Sequence, residues 1–239
     1  MKKILILFIL LFLEANSQKS AKINYSVLPL NGTIENSDDV KKTSISNNFI
    51  GIDNALTRLD YELLIYENKS YFYMVSSLDV NDRASRLAKS FAGSGDFFTN
   101  KNTEELIKTF SILGQTFNVS SKINTNWILT NELKTINGYV CYKATQLKNM
   151  RLKKTSKEII AWYCPSIPLS FGPKDFSGLP GLIMELQDGK VIFLINKINL
   201  NAEIENKFKV IKGKIITEEE FNVIYDEMLK KVVDELPKK

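Results

Sequence analysis

Hydrophobic and polar residues alternate along much of this chain, which is the pattern of β-strands with one buried face. The alternation is clearest in residues 138–147 (GYVCYKATQL) and 157–163 (KEIIAWY), and the basic, polar stretch 148–156 between them suits an exposed hairpin connection. Further strands are predicted at residues 22–28, 61–67, 71–75, 127–133, 184–187 and 190–196. Because few helical stretches separate these runs, we predict an antiparallel meander rather than βαβ units.

One hairpin turn carries a specific signal. Asp188-Gly189 lies between residues 184–187 and 190–196, and Asp-Gly is favoured in two-residue hairpin turns. Residues 202–211 alternate weakly, and we expect them to pair with the strand at 190–196.

Helical spacing is strongest near the C-terminus. Thr217 and Glu220 form a capping box ahead of apolar residues that recur every three to four positions. We predict a helix over residues 218–236 with one apolar face on the sheet. A second helix is predicted over residues 103–113, and residues 80–98 are expected to be a helix or loop insertion.

The first residues have the features of an export signal. Two lysines precede an apolar run over residues 4–13, which is shorter than the roughly 20 residues that span a bilayer. Ala15 and Ser17 are small residues at alternate positions, as a signal peptidase requires. We predict a signal peptide over residues 1–17 and one periplasmic or secreted domain over residues 18–239. A short N-terminal membrane anchor is the alternative, and no later stretch is predicted to span a membrane.

Composition narrows the chemistry. The chain has 32 Lys and Arg, 27 Asp and Glu and no histidine, for a net charge of +5. The lysines are spread out and form no stripe with stacking aromatics, so we expect no nucleic-acid partner. The lack of histidine removes Ser-His-Asp and Cys-His catalysis and His-ligated zinc. We therefore expect no enzyme, metal or cofactor, and the nearest carboxylates for acid–base work are Asp175 and Glu185.

The two cysteines are placed symmetrically about the predicted hairpin connection. If residues 138–147 and 157–163 pair antiparallel about the midpoint between Cys141 and Cys164, these two residues lie opposite each other. A cross-strand disulfide would then follow in an oxidising compartment. Two free thiols are the alternative.

Residues 164–183 (CPSIPLSFGPKDFSGLPGLI) contain four of the six prolines and three glycines. Proline has no N–H to donate, so this segment cannot be a central strand. Its leucines and isoleucines are apolar enough to be buried. We predict a rigid, partly buried crossover between two parts of the sheet.

This segment also carries a family resemblance. Its last six residues resemble the signature of the GLPGLI family of exported Bacteroidetes-type proteins: Gly178, Leu179, Pro180, Gly181, Leu182 and Ile183. Residues 138–145 resemble the family's GY.C.KAT strand, and residues 161–168 resemble its AWY…IP segment. The family has no known function. Its pattern is also similar to the half-barrel sheets of periplasmic lipoprotein carriers, which implies an α+β fold with a mainly antiparallel, curved sheet and the C-terminal helix packed on it.

Two roles fit these expectations. A curved sheet covered by a helix can hold an apolar ligand, such as a lipid or acyl chain, which favours a non-catalytic binding protein of the cell envelope. Candidate lining residues are Tyr61, Tyr71, Tyr73, Trp162 and Phe193, with ordinary core packing as their alternative role. The second hypothesis is a structural or interaction partner of an outer-membrane complex, with residues 164–183 as its contact surface. Bracing of the fold is the alternative role of that segment.

Overall fold

One twelve-stranded β-sheet organises the described part of the chain. The computed structural model describes residues 20–30, 51–75, 82–150, 155–204, 208 and 211–234, and the predicted signal peptide lies outside them. The strands are β1 (Ser20–Pro29), β2 (Asp60–Tyr66), β3 (Lys69–Met74), β4 (Asp96–Asn100), β5 (Glu105–Ile112), β6 (Gln115–Lys122), β7 (Ile128–Ile136), β8 (Tyr139–Met150), β9 (Thr155–Cys164), β10 (Leu182–Asp188), β11 (Val191–Leu200) and β12 (Ile215–Thr217). The helices are α1 (Arg83–Ala92) and α2 (Glu218–Asp234), and residues 51–56 are also helical.

The sheet is open and mostly antiparallel, as predicted. Its strand order is β12-β6-β5-β4-β3-β2-β1-β11-β10-β9-β8-β7. Every neighbouring pair is antiparallel except β12, which runs parallel to β6. Within the described residues, no helix has the length and apolar character needed to cross a bilayer.

Alternation along the strands gives the sheet two different faces. In β1 every second residue is fully buried on what we call the inner face: Ala21, Ile23, Tyr25 and Val27. Toward β6, the inner face continues through a row of residues that pair across neighbouring strands: Ile23, Leu63, Phe72, Phe97, Lys108 and Val119. Toward β8 it continues through a second row: Val27, Phe193, Leu186, Ala161 and Ala144.

The crossover between β9 and β10 is the predicted proline-rich segment, and we call residues 165–181 the Pro-Gly strip. Its apolar side chains join the main core: Ile167, Leu169, Phe171, Phe176 and Leu179. Backbone hydrogen bonds tie the strip to itself and to β10, including Leu182 N to Ile167 O at 2.9 Å. The buried Tyr25 hydroxyl donates to Ile183 O at 2.6 Å. The predicted partial burial of this segment is confirmed, but the segment joins two neighbouring antiparallel strands and does not cross between separate parts of the sheet.

Gly181 is fixed by a close approach of two backbone segments. A Cβ atom there would lie 2.2 Å from the carbonyl oxygen of Cys164, at the end of β9. No L side chain fits in this gap without moving the backbone. The second glycine of the signature therefore lets the strip return against the strand it left.

The two ends of the sheet form wings. The first wing consists of β4, β5, β6 and β12, and α2 packs on it through Phe221, which lies 5.2 Å from the ring of Phe110. The second wing consists of β7, β8, β9 and β10 with the strip. The capping box of α2 is present, since Thr217 N donates to Glu220 Oε2 at 2.8 Å and Glu220 N donates to Thr217 Oγ1 at 3.1 Å.

The helix predicted over residues 103–113 is wrong, because β5 occupies this stretch. Residues 103–105 (TEE) look like a helix start, but the following sequence alternates, and Leu106, Lys108 and Phe110 share the inner face. Pairing with β4 on one side and β6 on the other satisfies the backbone of β5, which overrides its local propensity. In residues 80–98, α1 is the expected helix.

Two details near β11 also differ from prediction. The turn between β10 and β11 is Gly189-Lys190, since Asp188 pairs with Val191 and is the last strand residue. The described residues of 202–211 form no strand with β11. One edge of β11 pairs with β1 along its length, and the other edge pairs with β10 at Val191–Leu194.

Substituting Gly181→Ala tests the close approach. We expect the free energy of unfolding to fall by about 3 kcal/mol, because the new methyl group forces β9 and the strip apart. Gly138→Ala is the matched control: Gly138 has φ +81° and no atom within 4 Å of its added Cβ, so it should lose only about 1 kcal/mol from its left-handed backbone. Urea denaturation followed by tryptophan fluorescence measures both. Equal losses would contradict this role for Gly181.

Candidate functional site

A cleft of about 1390 Å³ opens between the two wings. Inner-face residues of β5 and β6 form one wall, and the opposite wall comes from β8, β9, β10 and the strip. The first turn of α2 closes one side. Strands that are far apart in the sheet order therefore face each other, so the sheet curls about this space.

The second wall begins with two lysines that lie directly opposite each other. Lys148 of β8 pairs with Lys157 of β9 in the sheet register. Like charges in this arrangement repel and destabilise a sheet. Each ammonium group is matched by a carboxylate, since Lys148 forms an ion pair with Asp175 of the strip and Lys157 forms one with Asp188 of β10.

Asp188 is the most buried charge in this group. Its side chain is 2% exposed, and its two oxygens bind the ammonium groups of Lys157 and Lys174. Burial by itself would raise the pKa of this carboxyl, but the two lysines outweigh burial and lower it to about 2. Asp188 is thus ionised throughout the physiological range.

Lys108 stands apart from these pairs on the opposite wall. Its Nζ lies 4.8 Å from the ring centre of Phe110 and 5.5 Å from that of Phe97. Within the described residues, no carboxylate forms an ion pair with it. Lys108 is half-buried, and this burial lowers the pKa of its ammonium group below the ordinary value.

The part of the cleft beneath α2 is apolar. Its lining includes Leu106, Phe110, Ile112, Val119, Phe221 and Tyr225. Acidic side chains lie at the mouth, where Glu218 and Glu219 are exposed on the first turn of α2. Glu105 turns away from the inner face and accepts a hydrogen bond from the Ser120 hydroxyl at 3.0 Å. The cleft thus combines an apolar wall with a basic interior and an acidic edge.

None of the five aromatic residues predicted to line a groove is among the residues that line this cleft. Tyr61 and Phe193 are fully packed in the inner-face core, with ring centres 5.3 Å apart. Tyr71 and Tyr73 stack on each other on the outer face, at 5.0 Å. Trp162 is also on the outer face, beneath the Lys134 ammonium at 5.2 Å. The reason is strand alternation, which splits the set between two faces of the sheet.

The two predicted carboxylates are also separated by the sheet. Asp175 lies in the cleft, whereas Glu185 pairs with Lys134 at 2.5 Å on the outer face. They do not face each other across a shared space. The lysines and Asp188 of the cleft were missed by sequence reasoning, and the alternation of residues 106–112 is the signal that could have placed Lys108.

The register around the cysteines agrees with the prediction. Tyr142 pairs with Tyr163, so Cys141 and Cys164 occupy the next opposed position. The predicted bond between them is not formed: both are buried free thiols, and Cys164 Sγ instead lies 3.0 Å from Ser166 Oγ. Burial, together with the adjacent Cys164 thiol, raises the pKa of Cys141 to about 12.

Comparison with known proteins gives a family match over part of the chain. A family model described as "Protein of unknown function (Porph_ging)" matches residues 149–185, which include β9, the Pro-Gly strip and the start of β10. This agrees with a Bacteroidetes-type family of unknown function. No curated protein matches the sequence.

A solved structure shares the fold over most of this chain. It is described as "Structure of PNGF-II in P21 space group", with a TM-score of 0.53 and 13% sequence identity. The likeness covers 86% of this chain and 33% of that one, so this chain spans about a third of its length. At this identity the likeness concerns the fold alone.

The ion pairs of Asp188 give a test of the second wall. Asp188→Asn leaves Lys157 and Lys174 without their carboxylate, and we expect the free energy of unfolding to fall by about 3 kcal/mol at pH 7. Glu132→Gln is the control, because Glu132 pairs with Lys143 with its side chain 57% exposed and should cost under about 1 kcal/mol.

The same comparison has a defined pH dependence. The pKa of Asp188 is lower in the folded state than its ordinary 3.8, so its stabilisation is present above about pH 4 and is lost as pH falls through about 2. The difference between wild type and Asp188→Asn should therefore shrink between pH 4 and pH 2 in urea denaturation. A difference that stays constant over this range would contradict the role of Asp188.

Proposed function

We propose that this chain is an exported cell-envelope protein of the GLPGLI type that binds an apolar ligand, such as a lipid or acyl chain, without catalysis. The observation that carries the proposal is the cleft between the wings, whose lining beneath α2 is apolar. Its volume exceeds the roughly 300–1,000 Å³ of typical ligand pockets. The position of the ligand differs from the sequence-based prediction, because the aromatics named there lie in the core or on the outer face.

The shape of the sheet supports this role. A half-barrel keeps apolar inner-face residues on both wings turned toward one space. In this protein the centre of the inner face is filled by the Pro-Gly strip, so only the outer part of the half-barrel is left open for a ligand. α2 then covers the apolar portion as a lid held by Phe221 and its neighbours.

Exposed prolines favour a second candidate function. Pro165, Pro168 and Pro180 are exposed, although the strip that carries them is packed into the core. A rigid surface of this kind can bind a partner with little loss of entropy. An interaction role in an outer-membrane complex, with this surface as the contact, remains the alternative to ligand binding.

Export to an oxidising compartment gives a prediction for the cysteines. Incubation with oxidised glutathione should join Cys141 to Cys164, since the two thiols give up two protons and two electrons and glutathione is reduced. Mass spectrometry after alkylation should then find both cysteines unmodified and the chain lighter by two hydrogen atoms. Alkylation of both cysteines after this treatment would show that the pair stays reduced.

A bulky side chain in the cleft tests ligand binding. Ser121 pairs with Leu106 on the inner face and lines the cleft, so Ser121→Trp should fill the space. We expect this variant to bind a neutral pyrene-labelled alcohol about tenfold more weakly than wild type, as measured by fluorescence titration. Ser111→Trp is the control, because Ser111 is exposed and bonds Thr116 outside the cleft. Equal affinities for all three proteins would place the ligand elsewhere, and no binding would contradict the proposal.

A further inference from the structure

The cleft contains more positive than negative charge in its interior. Four lysines line it there, namely Lys108, Lys148, Lys157 and Lys174, and they meet only two carboxylates, those of Asp175 and Asp188. Four ammonium groups and two carboxylates leave a charge of +2, whereas the other charged residues of the lining contribute −3: Glu104, Glu105, Lys122, Glu218 and Glu219. Both carboxylates are already bound by lysines of the second wall.

Among the described residues, Lys108 is the lysine of this group that forms no ion pair, although the nearby charge of Asp175 favours its ammonium form. It projects from the first wall, opposite the paired charges, and its Nζ contacts the faces of Phe97 and Phe110. Aromatic faces offset only part of the cost of removing a charge from water. A buried ammonium group is stabilised most by a carboxylate or phosphate that it can bind directly.

The position of Lys108 links charge to the apolar wall. Phe110, which lies beneath its ammonium group, also contacts Phe221 of α2 with ring centres 5.2 Å apart. An anion bound at Lys108 would therefore be placed where the apolar lining begins. A hydrocarbon chain attached to that anion could lie along this apolar lining beside α2, because Phe221 itself fills the space against Phe110.

The acidic side chains at the mouth of the cleft favour ligands that place their acid group in the interior. Glu218 and Glu219 are exposed at the mouth, whereas the lysines lie deeper. Negative charge at the mouth disfavours an anion that stays there and does not affect an uncharged chain. Only a ligand that buries its acid group in the interior gains the attraction of the lysines.

We infer that the cleft binds an amphiphile with a terminal acid group, whose carboxylate or phosphate contacts Lys108 between the two lysine-bearing walls. This inference rests on the proposed function, because the same cleft holds the chain of the ligand. It adds the chemical class of that ligand, an acidic amphiphile rather than a neutral one.

Matched probes of equal chain length test the inference. Dodecanoate, dodecyl phosphate and dodecanol differ only in the head group, and each can be titrated at pH 7 by displacement of the pyrene-labelled alcohol. We expect wild type to bind at least one of the two acids about tenfold more tightly than dodecanol, and the stronger of the two identifies the head group. Lys108→Met should remove this preference, so that the two acids and dodecanol bind this variant with equal affinity.

Lys101→Met is the control variant. Lys101 also lies over an aromatic ring, 5.4 Å from the centre of Phe171, but it does not line the cleft. This variant should keep the full preference for acids. Equal affinity of wild type for acids and dodecanol, or a preference that survives in Lys108→Met, would overturn the inference and leave binding of an apolar chain in place. Failure of every probe to bind, or displacement by inorganic phosphate as strong as by dodecyl phosphate, would overturn both.

Discussion

Asp188 lies between the ammonium groups of Lys157 and Lys174. Without this carboxylate the two groups would repel each other and also repel Lys148. Asp188 is almost completely buried, and it binds Lys157 of the neighbouring strand and Lys174 of the strip. The register of β8 and β9 places Lys148 directly opposite Lys157, so three positive charges meet in one part of the inner face. Asp175 and Asp188 together neutralise part of this charge. The wall can therefore fold and still keep a net positive charge.

The Pro-Gly strip connects this charge arrangement to the fold. It contributes Lys174 and Asp175 to the cleft while its apolar side chains fill the centre of the inner face. Its return against β9 depends on Gly181, because no side chain fits beside the carbonyl of Cys164. The same segment therefore sets the direction of β10, packs the core and places two of the six charged groups in the interior of the cleft. The strip covers the centre of the inner face, and the cleft is the part of that face that the strip leaves uncovered.

The features that depend on residues close together in the sequence were predictable. The capping box of α2 needs only Thr217 and Glu220, and the register of β8 and β9 follows from two runs placed symmetrically about a polar link. The site was not predictable in this way. Lys108 is on a strand whose first residues resemble a helix start, and it meets the other lysines only because β5 and β9 are on opposite wings of a curled sheet. The sequence predicts Asp188 in a turn, whereas in the structure the turn begins one residue later and Asp188 is a strand residue that faces the cleft.

Selective binding of an acid in the cleft depends on Lys108, which forms no ion pair with any carboxylate in the described part of the chain. The ammonium of Lys108 can be titrated by nitrogen-15 NMR on protein labelled at lysine Nζ, with Lys108→Met used for assignment, before and after addition of dodecanoate. The account predicts a pKa below the ordinary 10.5 in the free protein and a rise when the acid binds, because the anion restores a partner to the buried charge. An ordinary pKa in the free protein, or a pKa that dodecanoate leaves unchanged, would contradict it.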